Sequence, residues 1–318
     1  MSKVIDHINN AKSTLFSFEI LPPSTGESIQ NLFDNISPLM EFKPKFIDVT
    51  YHREEFVDKT LPNGLFERKS IRKRPGTVSI CAALMHKFNV DTVPHIICGG
   101  FTKEETEYAL IDLNFLGIDN VLALRGDCIK GQKSFEATPG GHHFADELVS
   151  QIHAMNQGHY LSEELQNPTP TKFCIGVAGY PEKHFEAPSL KTDLKFLKQK
   201  IDKGADYIVT QMFFDNKKFF EFVDKCRAEG ITVPIIPGLK PITTKTHMTN
   251  LPRNFYIDMP DDLIDALEKC KTNDDVKNVG VEWAIAQSKE LIAHNVPCLH
   301  FYSMGKSTSI QKIASTLF

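Results

Sequence analysis

No stretch of this sequence stays apolar for the about 18 residues that a helix needs to cross a bilayer. The opening residues, Met1-Ser-Lys-Val-Ile-Asp-His7, lack the apolar core of a secretory signal. No two cysteines stand as Cys-x-x-Cys. The seven, at 81, 98, 128, 174, 226, 270 and 298, are scattered, several of them inside apolar runs where a thiol is a small core side chain. A zinc ribbon and a secreted disulfide framework are thereby excluded; a reduced cytoplasm is expected, and no metal. No Gly-x-Gly-x-x-Gly follows a strand, which removes the usual dinucleotide-binding sheet. There is no excess of positive charge: the formal net charge of −4 argues against a nucleic-acid or anionic-membrane surface. Neither an internal repeat nor a dividing linker is visible. What is present is 318 residues, 41% hydrophobic and 24% charged, an ordinary globular composition.

Apolar runs of strand length alternate with helically spaced ones. Strands are expected at 14–20, 45–51, 94–98, 120–127, 172–178, 206–211, 233–237 and 297–302. Helical patterns fall at 25–41, 77–89, 102–116, 144–157, 188–203, 216–229, 260–271 and 273–293, with a last helix at the C-terminus. Thr102-Lys-Glu-Glu105 has the form of a capped start, and Pro188 falls near a first turn. Residues 52–76 carry mixed charges and read as a long, mobile loop. Eight strands alternating with helices is the arithmetic of an α/β fold, a single (β/α)8 TIM barrel spanning residues 1–318. An open doubly wound sheet is the main competitor and usually has fewer strands.

Barrel enzymes bind their ligands at the C-terminal ends of the strands. Those ends read Glu19, Thr50-Tyr51, His95, Arg125-Gly126-Asp127, Tyr180 to His184, Gln211, Pro237-Gly238 and Tyr302. Every strand but the seventh delivers a polar or ionisable group, and no lysine ends any strand, which counts against a Schiff-base aldolase. The fourth is the most pointed: an apolar run of the kind buried on both faces stops in a cation, a flexible glycine and an anion. Arg125 and Asp127, two apart, point the same way. They either pair with each other, or Arg125 takes a phosphate or planar anion while Asp127 faces a group that changes charge. Glu19, between Phe18 and Ile20, is either an ion-paired carboxylate or a carboxyl made a proton donor near neutral pH by its apolar neighbours. Asp193, Phe196 and Lys200 share one helix face, as a solvated ion pair or as contacts to pyrophosphate and ribose. Gln211, in an apolar setting, needs a backbone or ligand partner. His142-His143 has no convergent third ligand in sequence. Phe213-Phe214 and Phe219-Phe220 read as core packing.

Seven motifs stand in register: Phe18-Glu19-x-x-Pro22-Pro23, Val49-Thr50-Tyr51, Pro94-His95, Leu124-Arg125-Gly126-Asp127, Tyr180-Pro181-Glu182-x-His184-x-Glu186-Ala187, Thr210-Gln211-x-Phe213-Phe214-Asp215 and Ile236-Pro237-Gly238. From about residue 14 to the C-terminus the chain resembles the methylenetetrahydrofolate reductases of the bacterial type, flavoproteins made of the catalytic barrel alone. The resemblance implies a barrel that holds FAD without a Rossmann motif. It also implies an oxidoreductase that reduces 5,10-methylenetetrahydrofolate to 5-methyltetrahydrofolate with NADH or NADPH, feeding methionine synthesis and one-carbon metabolism. Glu19 is then the general acid. Asp127 is the carboxylate beside the flavin that also contacts the folate, and Gln211 the amide that meets substrate and nicotinamide in turn. FAD contacts are implied at Thr50, Tyr51, His95, Arg125, Gly126, Asp127, Phe144, Ala145, Tyr180, His184, Ala187, Asp193 and Lys200, with Thr50 also near the reduced nucleotide. Lys306 would attract the folate's glutamate tail.

The implied partner is this small molecule, without nucleic acid or membrane; homo-oligomerisation and the choice between NADH and NADPH stay open, bacterial members favouring NADH. Departures from the family pattern fall at His52-Arg53 (for Gly-Ala), Phe144 (for Tyr), Phe196 and Gln199 (for Asn and Arg), His247 (for Gln) and Gly305-Lys306 (for Asn-Arg). The competing readings are a cofactor-free barrel enzyme and a non-catalytic folate- or flavin-binding module.

Overall fold

Side-chain parity along eight parallel strands organises the chain, of which the computed structural model describes residues 2–128, 134–162, 164–303 and 305–318. The strands are β1 (Leu15–Ile20), β2 (Phe46–Val49), β3 (Asp91–Ile97), β4 (Asn120–Leu124), β5 (Cys174–Gly179), β6 (Tyr207–Thr210), β7 (Ile235–Ile236, resumed at Gly238–Leu239) and β8 (Cys298–Tyr302). Each pairs in parallel with the next, and β8 pairs with β1. The first half of β7 pairs with β6 and the second half with β8, so the sheet closes through Pro237, which has no N–H to give a ladder. This is the expected (β/α)8 barrel.

Alternate residues go to two different cores. Phe16, Phe18, Ile20, Ile47, Val49, Val121, Ala123, Ile175, Val177, Ile208, Leu299 and Phe301 face outward and pack under the helices. Leu15, Phe46, Val93, Leu122, Cys174, Tyr207, Val209, Ile236 and Cys298 fill the lower barrel. A short helix, Val4–Asn9, plugs the floor: Val4 joins the inner cluster with Ile5 and Ile8, and its N–H donates to Asn120 Oδ1 at 2.8 Å. His7 meets Asp91 at 2.6 Å. Two inner positions must be glycine. A Cβ on Gly176 would lie 2.4 Å from Cζ of the buried Tyr207, and one on Gly238 would lie 2.2 Å from the Thr210 carbonyl oxygen.

Several helices start as the sequence predicts. Thr102 accepts from the Glu105 N–H while Glu105 accepts from that of Thr102, a capping box opening Lys103–Phe115. Ser189, not Pro188, caps Leu190–Asp202, so the proline lies outside the first turn. The pattern at 25–41 divides into a helix, Ile29–Ile36, and a 3-10 turn, Ser37–Phe42, because Pro38 has no N–H to continue the first. A helix at His247–Phe255 escaped the periodicity since Pro252 interrupts it. The largest correction concerns residues 52–76. Glu55–Thr60 and Phe66–Ile71 form an antiparallel hairpin closed around Asn63-Gly64, where Gly64 takes a φ of +78°. Cys81, Cys98, Cys174, Cys226 and Cys298 are buried as core side chains. No helix of the described residues is long and apolar enough to cross a membrane.

Gly176→Ala should lower stability by about 2–3 kcal/mol, because the ring it strikes is walled in on every side. Chemical denaturation checks this, and a loss below about 0.5 kcal/mol would mean that the ring can move.

Candidate active site

The upper layer of the barrel is ionisable where the lower is apolar. Glu19 of β1 continues the inward parity of Leu15 and Ser17, and pairs in register with Asp48 of β2 and Tyr302 of β8. Its side chain is 12% exposed. Ser303 donates through N–H and hydroxyl to its carbonyl, fixing the backbone. Thr50 Oγ1 lies 2.8 Å from Glu19 Oε1 and 3.0 Å from the Ile20 carbonyl, so its single proton serves one acceptor at a time. Burial raises the Glu19 pKa; His95, the Thr50 hydrogen bond and Lys240 oppose the rise, and Asp48 adds to it.

Beneath Glu19 the polar groups are sealed and short of partners. His95 Nε2 stands 3.5 Å from Glu19 Oε2 and 3.6 Å from Asp48 Oδ2, between two carboxyls. Burial lowers its pKa, with Glu19 opposing, and so favours the neutral imidazole. Asp48 is fully buried with neither oxygen hydrogen-bonded, and burial pushes its pKa up to about 6, His300 resisting. His300 Nδ1 meets Ser17 Oγ at 2.9 Å, while its Nε2 and the Tyr207 hydroxyl have no hydrogen-bond partner. Tyr302 donates to the Thr210 carbonyl at 2.6 Å. Among the described residues no His, Cys, Asp or Glu group is arranged to hold a metal.

A second region opens beside the mouth: a cavity of about 420 Å³ between the ends of β4 and β5 and the helix Leu190–Asp202. Arg125, Phe144, Ala145, Tyr180, His184, Ala187, Asp193 and Lys200 line it, with Glu186, Phe196 and Gln199. Arg125 ion-pairs with Glu186 and lies 5.1 Å over the Phe135 ring, so the pairing with Asp127 left open by the sequence is not the one adopted. Asp193 accepts from the His184 N–H at 2.9 Å. Lys200 donates to the Ala178 carbonyl at 2.6 Å, and burial lowers its pKa to about 8 against the pull of Asp193 and Asp146.

A sequence model of the family described as methylenetetrahydrofolate reductase matches residues 3–317. The chain belongs to the methylenetetrahydrofolate reductase family. It is 35% identical over 321 residues to "Methylenetetrahydrofolate reductase (NADH) 1" of Arabidopsis thaliana, covering 96% of this chain and 49% of that protein. With "5,10-methylenetetrahydrofolate reductase" of Escherichia coli the identity is 32% over 308 residues, covering 95% of this chain and 90% of that one. The chain thus spans about half the length of several curated relatives it matches. Among solved structures, an uncharacterized protein from Clostridium thermocellum, described as binding two copies of 5-methyl-5,6,7,8-tetrahydrofolic acid, superposes with a TM-score of 0.59. At 15% identity, covering 98% of this chain and 96% of that one, this likeness speaks for the fold alone.

The residues that family resemblance singles out fall in several places. Eight of the cofactor candidates line the side cavity, as do Phe196 and Gln199, the two departures. Tyr51 and His95 border a smaller recess of about 90 Å³ with Arg72 and Phe101. Asp127 is exposed, in the field of Arg53. Gly126 has a φ of +87° beside Ile97. The amide oxygen of Gln211 accepts from the Met212 N–H at 2.9 Å, answering its need for a partner locally. Lys306 is exposed next to the end of β8.

Three groups escaped the strand-end reading: Asp48, His300 and Lys240. The first two are inward residues read there as strand interior. Lys240 follows Gly238-Leu239, where β7 resumes after Pro237. The statements that the seventh strand delivers no ionisable group and that no lysine ends a strand are therefore corrected. Pro237 is a break in the ladder rather than the end of the strand.

Because the folded Asp48 pKa lies above its unfolded value of 3.8, its ionisation costs nothing below about pH 4 and destabilises as pH rises towards and through about 6. Asp48→Asn should remove that loss, gaining roughly 2 kcal/mol more relative to wild type at pH 8 than at pH 4. Denaturant titrations at the two pH values measure the difference, and an equal effect at both would place the Asp48 pKa in the ordinary range.

Proposed function

We propose that the protein reduces 5,10-methylenetetrahydrofolate to 5-methyltetrahydrofolate with NADH or NADPH, holding FAD as its cofactor in one catalytic barrel domain, residues 1–318, in the cytoplasm. The observation that carries this reading is Glu19, an inward carboxyl at the barrel mouth with a raised pKa, in a chain of this family. The side cavity fits FAD. Arg125 and Lys200 supply cations for a pyrophosphate, and Phe144 and Phe196 offer exposed rings among its lining residues. A guanidinium carries five N–H donors, so Arg125 can meet a phosphate without leaving Glu186 entirely. Tyr180 and His184, in contact at 4.7 Å between rings, and Ala187 complete the wall.

When bound, the flavin carries a hydride from the reduced nicotinamide to the folate. Glu19 gives its proton to a ring nitrogen of the folate as the five-membered ring opens to an iminium electrophile. The carboxylate left behind is met by the Thr50 hydroxyl, which turns from the Ile20 carbonyl to Oε1. His95, kept neutral by burial 3.5 Å from Glu19 Oε2, stands beside the carboxyl without competing for its proton. Asp127, exposed beyond β4, would supply the carboxylate beside a bound flavin and pterin. Gln211 keeps its NH2 for a ligand, since its oxygen is occupied. Lys306 attracts the glutamate tail as a point charge rather than a fork. A single cofactor site would serve both hydride partners, so they would react in turn.

An acid with a raised pKa works below that pKa and fails as pH rises through it, so the folate step should decline on the alkaline side. The visible spectrum of the FAD-reconstituted protein tests cofactor binding; a colourless product removes the reading. In Glu19→Gln, nicotinamide-driven bleaching of the flavin should persist within about threefold while folate-driven reoxidation falls about 10²–10⁴-fold. Equal losses in the two half-reactions would reject Glu19 as the acid.

A further inference from the structure

The seventh strand carries a group that this reaction scheme leaves unused. Past Pro237 the chain resumes pairing, Gly238 with His300 and Leu239 with Phe301. Leu239 belongs to the outer core, while Gly238 makes room for the Tyr302 hydroxyl. Lys240 is next in the alternation and so turns inward, beside Tyr302, whose other neighbour in register is Glu19. It is 8% exposed. Among the described residues its ammonium makes no hydrogen bond and no ion pair, and its charged or titratable neighbours are Glu19 and, from the helix His247–Phe255, His247. Glu19 in turn is faced by Asp48 and Thr50 at the end of β2, His95 of β3, Tyr302 of β8 and Lys240 of β7. With His95 neutral, Lys240 is the cation of this set.

We propose that Lys240 is a positioning residue for the proton transfer: its ammonium, held in the same inward layer as Glu19 but out of ion-pair contact with it, is a fixed cation that eases the release of that carboxyl's proton. The inference rests on the acid role given to Glu19 above. An isolated ammonium is costly to bury, and the chain tolerates this one in the field of a carboxyl that must alternately hold and release a proton. The two charges support each other. The carboxylate keeps the ammonium protonated although burial brings its pKa down to about 8. The ammonium makes the carboxylate easier to form, and so stabilises Glu19 in the state it reaches after the proton has gone to the folate. Without it, burial and the Asp48 charge act on Glu19 opposed only by His95 and Thr50, and the carboxyl holds its proton to higher pH. An acid works best when its proton affinity matches the working pH, and Lys240 contributes to that match.

The Glu19 carboxyl is titrated by carbon-13 NMR in the purified protein, its signal assigned by its loss in Glu19→Gln. The same titration is made in Lys240→Met and Lys240→Arg, alongside the pH profile of folate-driven flavin reoxidation. In Lys240→Met the Glu19 midpoint should rise by about 0.3 pH unit, twofold in proton affinity, and the alkaline limb of reoxidation should move up with it. Lys240→Arg keeps the charge and should leave both near wild type. Lys240→Gln takes the place of the methionine variant should that one not fold. A midpoint unmoved in the neutral variants, or moved as far by arginine as by methionine, overturns the proposal. A shifted carboxyl in a protein that shows no folate-driven reoxidation upholds the coupling of the two charges and overturns the function proposed above.

Discussion

A carboxyl taken out of water without a close ion-pair partner is the constraint on which this barrel's upper half depends. Desolvation penalises the charged form of Glu19, and every neighbour acts by easing or sharpening that penalty. Thr50 offers one hydroxyl that can turn between two acceptors, His95 an imidazole that burial keeps neutral, and Lys240 a cation at a distance. Asp48, beneath them, is a second sealed carboxyl that destabilises the fold as it ionises. The lower barrel shows the contrast: Leu15, Phe46, Val93 and Leu122 fill it, and the helix Val4–Asn9 closes it from below. Inside the barrel, Asp48, His95 and His300 are buried polar groups with unpartnered atoms close to Glu19, where a site gains from them and the fold does not.

The titratable cluster and the side cavity fall to different strands. The ends of β1, β2, β3, β7 and β8 gather the titratable groups around Glu19. The ends of β4 and β5, with the helix Leu190–Asp202, form the wall of the side cavity. Arg125-Gly126-Asp127 lies on the second side. Its cation turns to Glu186 and the cavity, its glycine adopts a φ that other residues avoid, and its anion is exposed.

Much of this was legible in the sequence, for identifiable reasons. Strands buried on both faces leave continuous apolar runs, so all eight were visible, and Thr102 to Glu105 announced a helix start by its capping box. Glu19 stood out because a carboxylate between Phe18 and Ile20 is unexpected in such a run. What was lost is equally physical. Asp48 and His300 are inward residues below the strand ends, and period-two alternation marks them as inward without saying that they lack partners. Lys240 was hidden because Pro237 looks like a strand end, although pairing resumes one residue later. The hairpin at 55–71 was masked by charge, residues 57–60 and 66–71 being exposed with no buried face to mark their period, and only Asn63-Gly64 hinted at its turn.

The central proposal is that one bound flavin would serve both hydride partners in turn, with Glu19 as the acid of the folate step. Its most direct test is a single turnover in two separated steps. FAD-loaded protein is reduced anaerobically with NADH, freed of nicotinamide, and then mixed with 5,10-methylenetetrahydrofolate alone. The account predicts that the flavin absorbance returns and that one equivalent of 5-methyltetrahydrofolate forms per flavin. A flavin that stays reduced, or a product that appears only with nicotinamide still bound, would contradict it.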